Sequence, residues 1–238
     1  MATNPAVVGH PTTEHGVLAH HFDNIAQQRE AESLGMWVFL ATELLIFGAL
    51  FCGYTVYRFK YSYDFEVASG ELNLLIGAIN TFVLLTSSLT MALSVWATRF
   101  GHRRMLLWCL SLTAALGALF MVFKAIEYYG DYRDGLVPGL AFPPPHLAEL
   151  EPKVDLQHVK LMLVFYYVMT MLHAVHLMVG IGLVVWLIAR AARQTLTPAH
   201  YSATEVVGLY WHFVDVIWIF LLPLLYLTGT HSWHDLHF

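Results

Sequence analysis

The residues best able to do chemistry are ionisable side chains set inside long apolar runs. Glu43 stands among Phe39, Leu40, Ile46 and Phe47, 11 residues after Glu32 and 15 before Arg58. At 1.5 Å per residue these are roughly 16 and 22 Å of helix, which puts the carboxyl near mid-membrane. Burying a charge in hydrocarbon is expensive. An acid there is either proton-linked or a neutral carboxyl that hydrogen-bonds another helix. Its helical neighbours offer no cation, so any partner must come from elsewhere. His173 and His176, three residues apart, share roughly one helix face. Asp215 follows His212 by three residues and is placed to orient its imidazole. A metal would need a third ligand here, and a b-haem a facing histidine at matching depth. The competing reading is hydrogen bonding across helices or contact with lipid head groups.

Other histidines gather at the ends of the chain, which has 14 His against 12 Lys and Arg. His10 with His15 and His20 with His21 form a weak metal-like tract that reads better as a solvated arm. His231, His234 and His237 are read the same way. Cys52 and Cys109 lie in apolar stretches and are packing residues, because a zinc site needs more ligands at closer spacing. No nucleophile–base set, phosphate loop or redox cysteine motif stands out, so no catalytic centre or metal site is expected in this chain. With a net charge of −5 and no basic run, nucleic acid is not an expected partner.

Long helices must position these groups. The 238 residues are 58% hydrophobic and 12% charged, with mean hydropathy +0.58. An average soluble domain has about 45–50% apolar and about 25% charged residues. The balance excludes a disordered chain and points to an integral membrane protein. A spanning helix needs about 20 apolar residues, and five stretches qualify, near 34–57, 73–98, 105–126, 159–189 and 206–228. The expected fold is therefore an all-α, five-transmembrane-helix bundle over 34–228. A polar, His-rich arm (1–33) without the marks of a cleaved secretory signal precedes it, and a polar tail (229–238) follows.

Phe100-Gly101-His102 between Arg99 and Arg103 forces an antiparallel hairpin, whereas 128–157, with Pro143-Pro144-Pro145, reads as a surface loop or docking arm. No internal repeat supports an inverted-repeat transporter. With the N-terminus inside, six positive residues fall on the inner side (Arg29, Arg99, Arg103, Arg104, Arg190, Arg193). Six fall outside (Arg58, Lys60, Lys124, Arg133, Lys153, Lys160). The tight 99–104 hairpin tips the balance to an inner N-terminus and an outer C-terminus. Ala49 with Gly53, Gly77 with Thr81, Ser111 with Ala115 and Ala114 with Ala118 sit four apart and let helices approach closely. Trp37, Tyr54, Tyr57, Tyr128, Tyr129 and Tyr226 are read as interface aromatics. Pro223 interrupts the last span.

Five segments, in order, resemble one family. They are Leu34-Gly35-Met36-Trp37-Val38-Phe39-Leu40-Ala41-Thr42-Glu43; Asn80-Thr81 with Leu84-Leu85-Thr86-Ser87-Ser88; Glu127-Tyr128-Tyr129; His173-Ala174-Val175-His176 with Gly180; and Tyr210-Trp211-His212-Phe213-Val214-Asp215-Val216-Ile217-Trp218. Together they resemble haem–copper oxidase (cytochrome c oxidase) subunit III in its five-span bacterial form, over about residues 34–228. The resemblance implies an accessory, non-catalytic subunit of a proton-pumping terminal oxidase of the aerobic respiratory chain, a multi-pass protein of the bacterial cytoplasmic (inner) membrane. It implies partner subunits I and II, with haem and copper in those partners and no cofactor in this chain. It implies phospholipid in a cleft between helices, for which Tyr210, Trp211 and Trp218 are candidates, and support of proton uptake and of subunit I. The family's membrane acid maps onto Glu43 and its acidic–aromatic corner onto Glu127 with Tyr128. His173, His176, His212 and Asp215 join them as proton-linked or structural candidates.

Two departures stand out. Ala174 occupies a place where the family often has Gly, and the 128–157 loop is longer and richer in proline, which leaves room for a further subunit or supercomplex partner. Cytochrome c and quinol both remain open as donor, and a nitric-oxide-reductase-associated relative is a variant of the same reading. Outside this class stand a b-haem electron carrier using His173 or His176 with His212, and a proton-coupled transporter centred on Glu43.

Overall fold

The computed structural model describes residues 25–140, 142–150, 152–193 and 201–229. Their regular structure is entirely helical: α1 (Ile25–Lys60), α2 (Ser62–Gly70), α3 (Leu74–Arg99), α4 (Arg103–Arg133), α5 (Pro145–Ala148), α6 (Leu156–Ala192) and α7 (Ser202–Leu225). The five long ones are long and apolar enough to cross a membrane. The chain is an all-α bundle, and the histidine clusters at 10–21 and 231–237 lie outside the described residues.

The helices outrun the apolar stretches that announce them. α1 begins at Ile25 rather than near 34, α4 continues to Arg133, and α2 and α5 lie where connections were expected. The reading of 128–157 as a loop therefore needs correction, since its first turns belong to α4. Hydropathy marks the part of a helix suited to lipid, whereas backbone hydrogen bonding continues wherever side chains find neighbours. Glu127 and Asp131 find theirs inside the bundle, and both are buried.

Helix ends follow from local chemistry. The Asn73 side chain accepts from Ile76 N at 3.1 Å and Asp155 from Gln157 N at 2.8 Å, capping α3 and α6. Gly101, at φ +71°, permits the tight α3–α4 turn. Just beyond it Arg103 donates to the carbonyls of Ala191 (3.1 Å) and Ala192 (2.7 Å), placing a cation on the negative end of α6.

α7 is the hub. It packs against α1, α3 and α6, while α4 bridges α3 and α6 and α2 lies against α6. Half of its most apolar window is buried, against 11% for α1, so α7 is central and α1 peripheral. Close approach is set by glycines around the α7 aromatics. A Cβ at Gly117 would lie 2.8 Å from Trp211 Cη2, and one at Gly180 3.2 Å from Trp211 Cε3. The Gly77 position faces Leu222 and Tyr226 in the same way. Tyr54 and Tyr226 have no exposed surface and belong to the core rather than to an interface belt, whereas Trp37, Tyr57 and Tyr129 are exposed. The chain closes on itself at one end. Ser69 Oγ donates to Leu225 O at 2.6 Å, and a Cβ on Gly229 would fall 2.6 Å from Gly70 N.

Gly117→Ala is expected to destabilise the bundle by about 1–3 kcal/mol, because the new methyl overlaps the rigid Trp211 ring. Gly48→Ala, with open space at its Cβ, should cost nothing. Thermal midpoints of the two variants in detergent check the contrast, and equal midpoints would contradict the cradle.

Candidate functional site

α1 presents Glu43 to α6, where its Oε2 lies 2.9 Å from His176 Nε2. The other ring nitrogen, Nδ1, is 2.8 Å from Leu172 O and can only donate to a carbonyl. In a neutral ring Nε2 is then a bare acceptor, so the contact with Glu43 contains one proton, on either the carboxyl or the imidazole. The Phe47 ring meets the His176 imidazole edge-on at 5.3 Å, and Tyr210 Oη donates to His176 O at 2.9 Å. Both side chains of the pair keep 15% of their surface, so the site sits at the margin of the bundle. The arrangement can hold a proton in mid-span and lock the peripheral α1 onto α6.

The neighbouring histidine does not share this site. Three residues turn a helix by about 300°, and the remaining 60° carries His173 inward, where it is 1% exposed. Its ring lies 5.2 Å from Trp218 and 5.6 Å from Phe120, and neither nitrogen has a hydrogen-bond partner. His173 and His176 therefore do not form a joint ligand pair. Among the described residues no three His, Cys, Asp or Glu side chains converge as a metal site.

α7 is fastened to α3 by hydroxyls. His212 Nδ1 is 2.7 Å from Ser88 Oγ, Trp211 Nε1 donates to Ser87 Oγ at 3.1 Å, and Trp218 Nε1 donates to Thr81 Oγ1 at 3.0 Å. The expectation that Asp215 orients His212 is corrected by this geometry. Ser88 takes the imidazole, and both Asp215 oxygens are buried with no bond of ordinary geometry. One turn along a helix separates the carboxylate from the ring, and a cross-helix hydroxyl is nearer to hand. Tyr210, Trp211 and Trp218 are at most 3% exposed and fill the interior instead of lining an open cleft. A cleft of about 620 Å³ lies between α1, α3 and α7. Trp96, Arg99, Phe100, Glu205, Leu209 and His212 are among its walls.

A third polar group escapes sequence reasoning. Lys124, expected among the outer charges, is 2% exposed. Its ammonium donates to Glu127 Oε2 (3.0 Å), Tyr226 Oη (2.9 Å) and Tyr166 Oη (3.2 Å). It also lies 5.0–5.6 Å from the ring centroids of Tyr128, Tyr166, Trp218 and Tyr226. Glu127 Oε1 accepts from Tyr226 at 2.5 Å and Tyr166 at 3.0 Å. Asp131 Oδ2 accepts from Tyr167 at 3.2 Å and Tyr166 at 3.4 Å. Tyr128 is not Glu127's partner, since its hydroxyl meets Thr170 Oγ1 at 2.6 Å. The signal that could have found this cluster is the i, i+3 spacing of Lys124 and Glu127 within an apolar helix.

A family model described as cytochrome c oxidase subunit III matches residues 161–230, a range that takes in most of α6 and all of α7. The cytochrome c oxidase subunit 3 of Thermostichus vulcanus is 31% identical over 210 residues, spanning 86% of this chain and 91% of that protein. The "Probable quinol oxidase subunit 3" of Staphylococcus haemolyticus (strain JCSC1435) is 26% identical over 207 residues, 87% of this chain and 94% of its own length. The same-named protein of Staphylococcus epidermidis (strain ATCC 12228 / FDA PCI 1200) is 24% identical over 211 residues, 89% and 96% of the two chains.

Glu43→Ala removes a cross-helix bond and should lower stability by about 1 kcal/mol, the scale of such bonds in membrane proteins. Glu43→Gln, whose amide can still donate to Nε2, should retain most of it. Denaturant titration of the two variants in micelles reads the difference. A Gln variant as weak as the Ala variant would argue that the contact is not a hydrogen bond.

Proposed function

Since this chain belongs to the haem–copper oxidase subunit III family, we propose that it acts as a non-catalytic subunit of a respiratory terminal oxidase. It sits beside catalytic subunit I, with subunit II nearby, in a complex that reduces oxygen to water and moves protons across the membrane. The observation that carries this reading is the similarity to an oxidase third subunit over 86% of this chain and 91% of that protein, together with five helices long and apolar enough to cross a membrane. Haem and copper belong to the partner subunits in this reading. The role of this chain is to hold subunit I in its durable form and to support proton uptake, with the Glu43–His176 pair as its mid-span proton-holding contact.

Phospholipid is the natural occupant of the cleft between α1, α3 and α7, where apolar walls end at the Arg99–Glu205 ion pair. We place the chain in a bacterial cytoplasmic membrane with its N-terminus inside. Once the buried Lys124 is withdrawn from the outer count, six positives inside face five outside, which favours that orientation. The loop after α4 is left for a further subunit or a neighbouring complex. Relatives named as quinol oxidase subunits support quinol as the alternative donor to cytochrome c.

The intact complex, isolated through a tag on this chain, is expected to contain a haem- and copper-bearing subunit I and to consume oxygen with reduced cytochrome c. Consumption with quinol alone would move the donor to the second reading, and a tagged chain that brings down no haem protein would sink both. Glu43→Ala should leave the haem spectrum unchanged and alter turnover, inactivation lifetime or subunit retention. If all three stay at wild-type values, the carboxyl is a packing acid only.

A further inference from the structure

We infer that the Lys124–Glu127–Asp131 cluster is a proton-binding site, in which Asp131 holds one proton and communicates with Glu127 through the Tyr166 hydroxyl. Charges and hydrogens can be counted within the cluster whatever complex the chain joins. One cation faces two carboxyl groups. Lys124 and Glu127 keep 3% and 2% of their side-chain surface, and Asp131 is 8% exposed, so solvent does not compensate an excess charge. Removing the compensation of a buried charge is strongly unfavourable.

The hydrogens decide which acid is ionised. The three ammonium hydrogens of Lys124 have three acceptors in Glu127, Tyr166 and Tyr226. Glu127 then receives from Lys124 on Oε2 and from Tyr226 and Tyr166 on Oε1, the surroundings of a carboxylate. Tyr166 has a single hydrogen, and its shorter contact is to Glu127 (3.0 Å) rather than to Asp131 (3.4 Å). That leaves Asp131 with one phenolic donor, Tyr167, and no cation in hydrogen-bond contact. The proton that neutralises the cluster belongs there.

No other facing group changes the balance. From α4 come Lys124, Glu127 and Tyr128, and from α6 Tyr166, Tyr167, Thr170 and His173, with Tyr226 and Trp218 completing the cage at α7. The His173 ring, with no acceptor at either nitrogen, is not a second cation. Asp131 is also the least enclosed of the three charged residues and lies in the last turn of α4, so exchange with water runs through it. In the relay the Asp131 carboxyl gives its proton to Tyr166 Oη while Tyr166 gives its own to Glu127 Oε1, so two O–H bonds break, two form, and the phenol hydrogen is left directed at Asp131.

The test uses the full chain in lipid nanodiscs and infrared difference spectra between wild type and variants, in light and heavy water. Asp131→Asn is expected to lose one protonated-carboxyl C=O band. Glu127→Gln should lose the same band, because Asp131 then ionises to balance Lys124 and releases its proton to water. The double variant K124M/E127Q should recover it, since no cation remains to hold an ionised Asp131. This reversal is not expected of a merely structural cluster. A band unchanged in Asp131→Asn would overturn the inference, as would identical spectra for Glu127→Gln and the double variant. If Asp131→Asn does not reach wild-type helicity, the comparison of the other two decides alone.

Discussion

In hydrocarbon a polar side chain has no water to turn to, so each one placed inside a span must be answered by a neighbouring helix. Three groups of contacts in the bundle meet that requirement, while His173 and Asp215 are buried without a bond of ordinary geometry. Glu43 of α1 is answered by His176 of α6, Ser88 of α3 by His212 of α7, and Lys124 of α4 by two phenols from α6 and α7 together with its own Glu127. Each pairing joins helices that apolar contacts alone would leave free to slide. Between these fasteners the indole of Trp211 fills the space left by Gly117 and Gly180, so shape and polarity fix the same register.

The three polar groups also differ in kind. The Glu43–His176 pair lies at the bundle margin beside the peripheral helix and is open to a partner or to lipid. The Ser87–Ser88 contacts with Trp211 and His212 are interior fasteners at one end of the cleft. The Lys124 cluster is sealed by aromatic rings. Exposure therefore falls from the Glu43–His176 pair to the Lys124–Glu127 pair, so the first is within reach of whatever packs against α1 and the second is not.

Much of this was legible in the residues. Five apolar runs announce five spans, and Glu43 in the middle of one announces a partner on another helix, although nothing in α1 says which. The identity of that partner depends on a 133-residue separation that only packing resolves. Helix ends were harder, because polar residues such as Asp131 continue a helix when tertiary neighbours receive them. Spacing suggested that Asp215 would hold His212 and that His173 and His176 would act together. Both expectations looked along one helix, whereas in a bundle the partner comes across the gap. Lys124 was hidden by its charge, which made a buried residue count among the outer positives.

The bond from Ser69 to Leu225 ties the connector after the first span to the end of the last, across 156 residues. Spans enter a membrane in order of synthesis, so the connector has to wait, with its hydroxyl unanswered, until the final helix is in place. A chain cut short before that point can insert four spans and still not become this fold. The seam thus closes only when the first and the last spans are both in place.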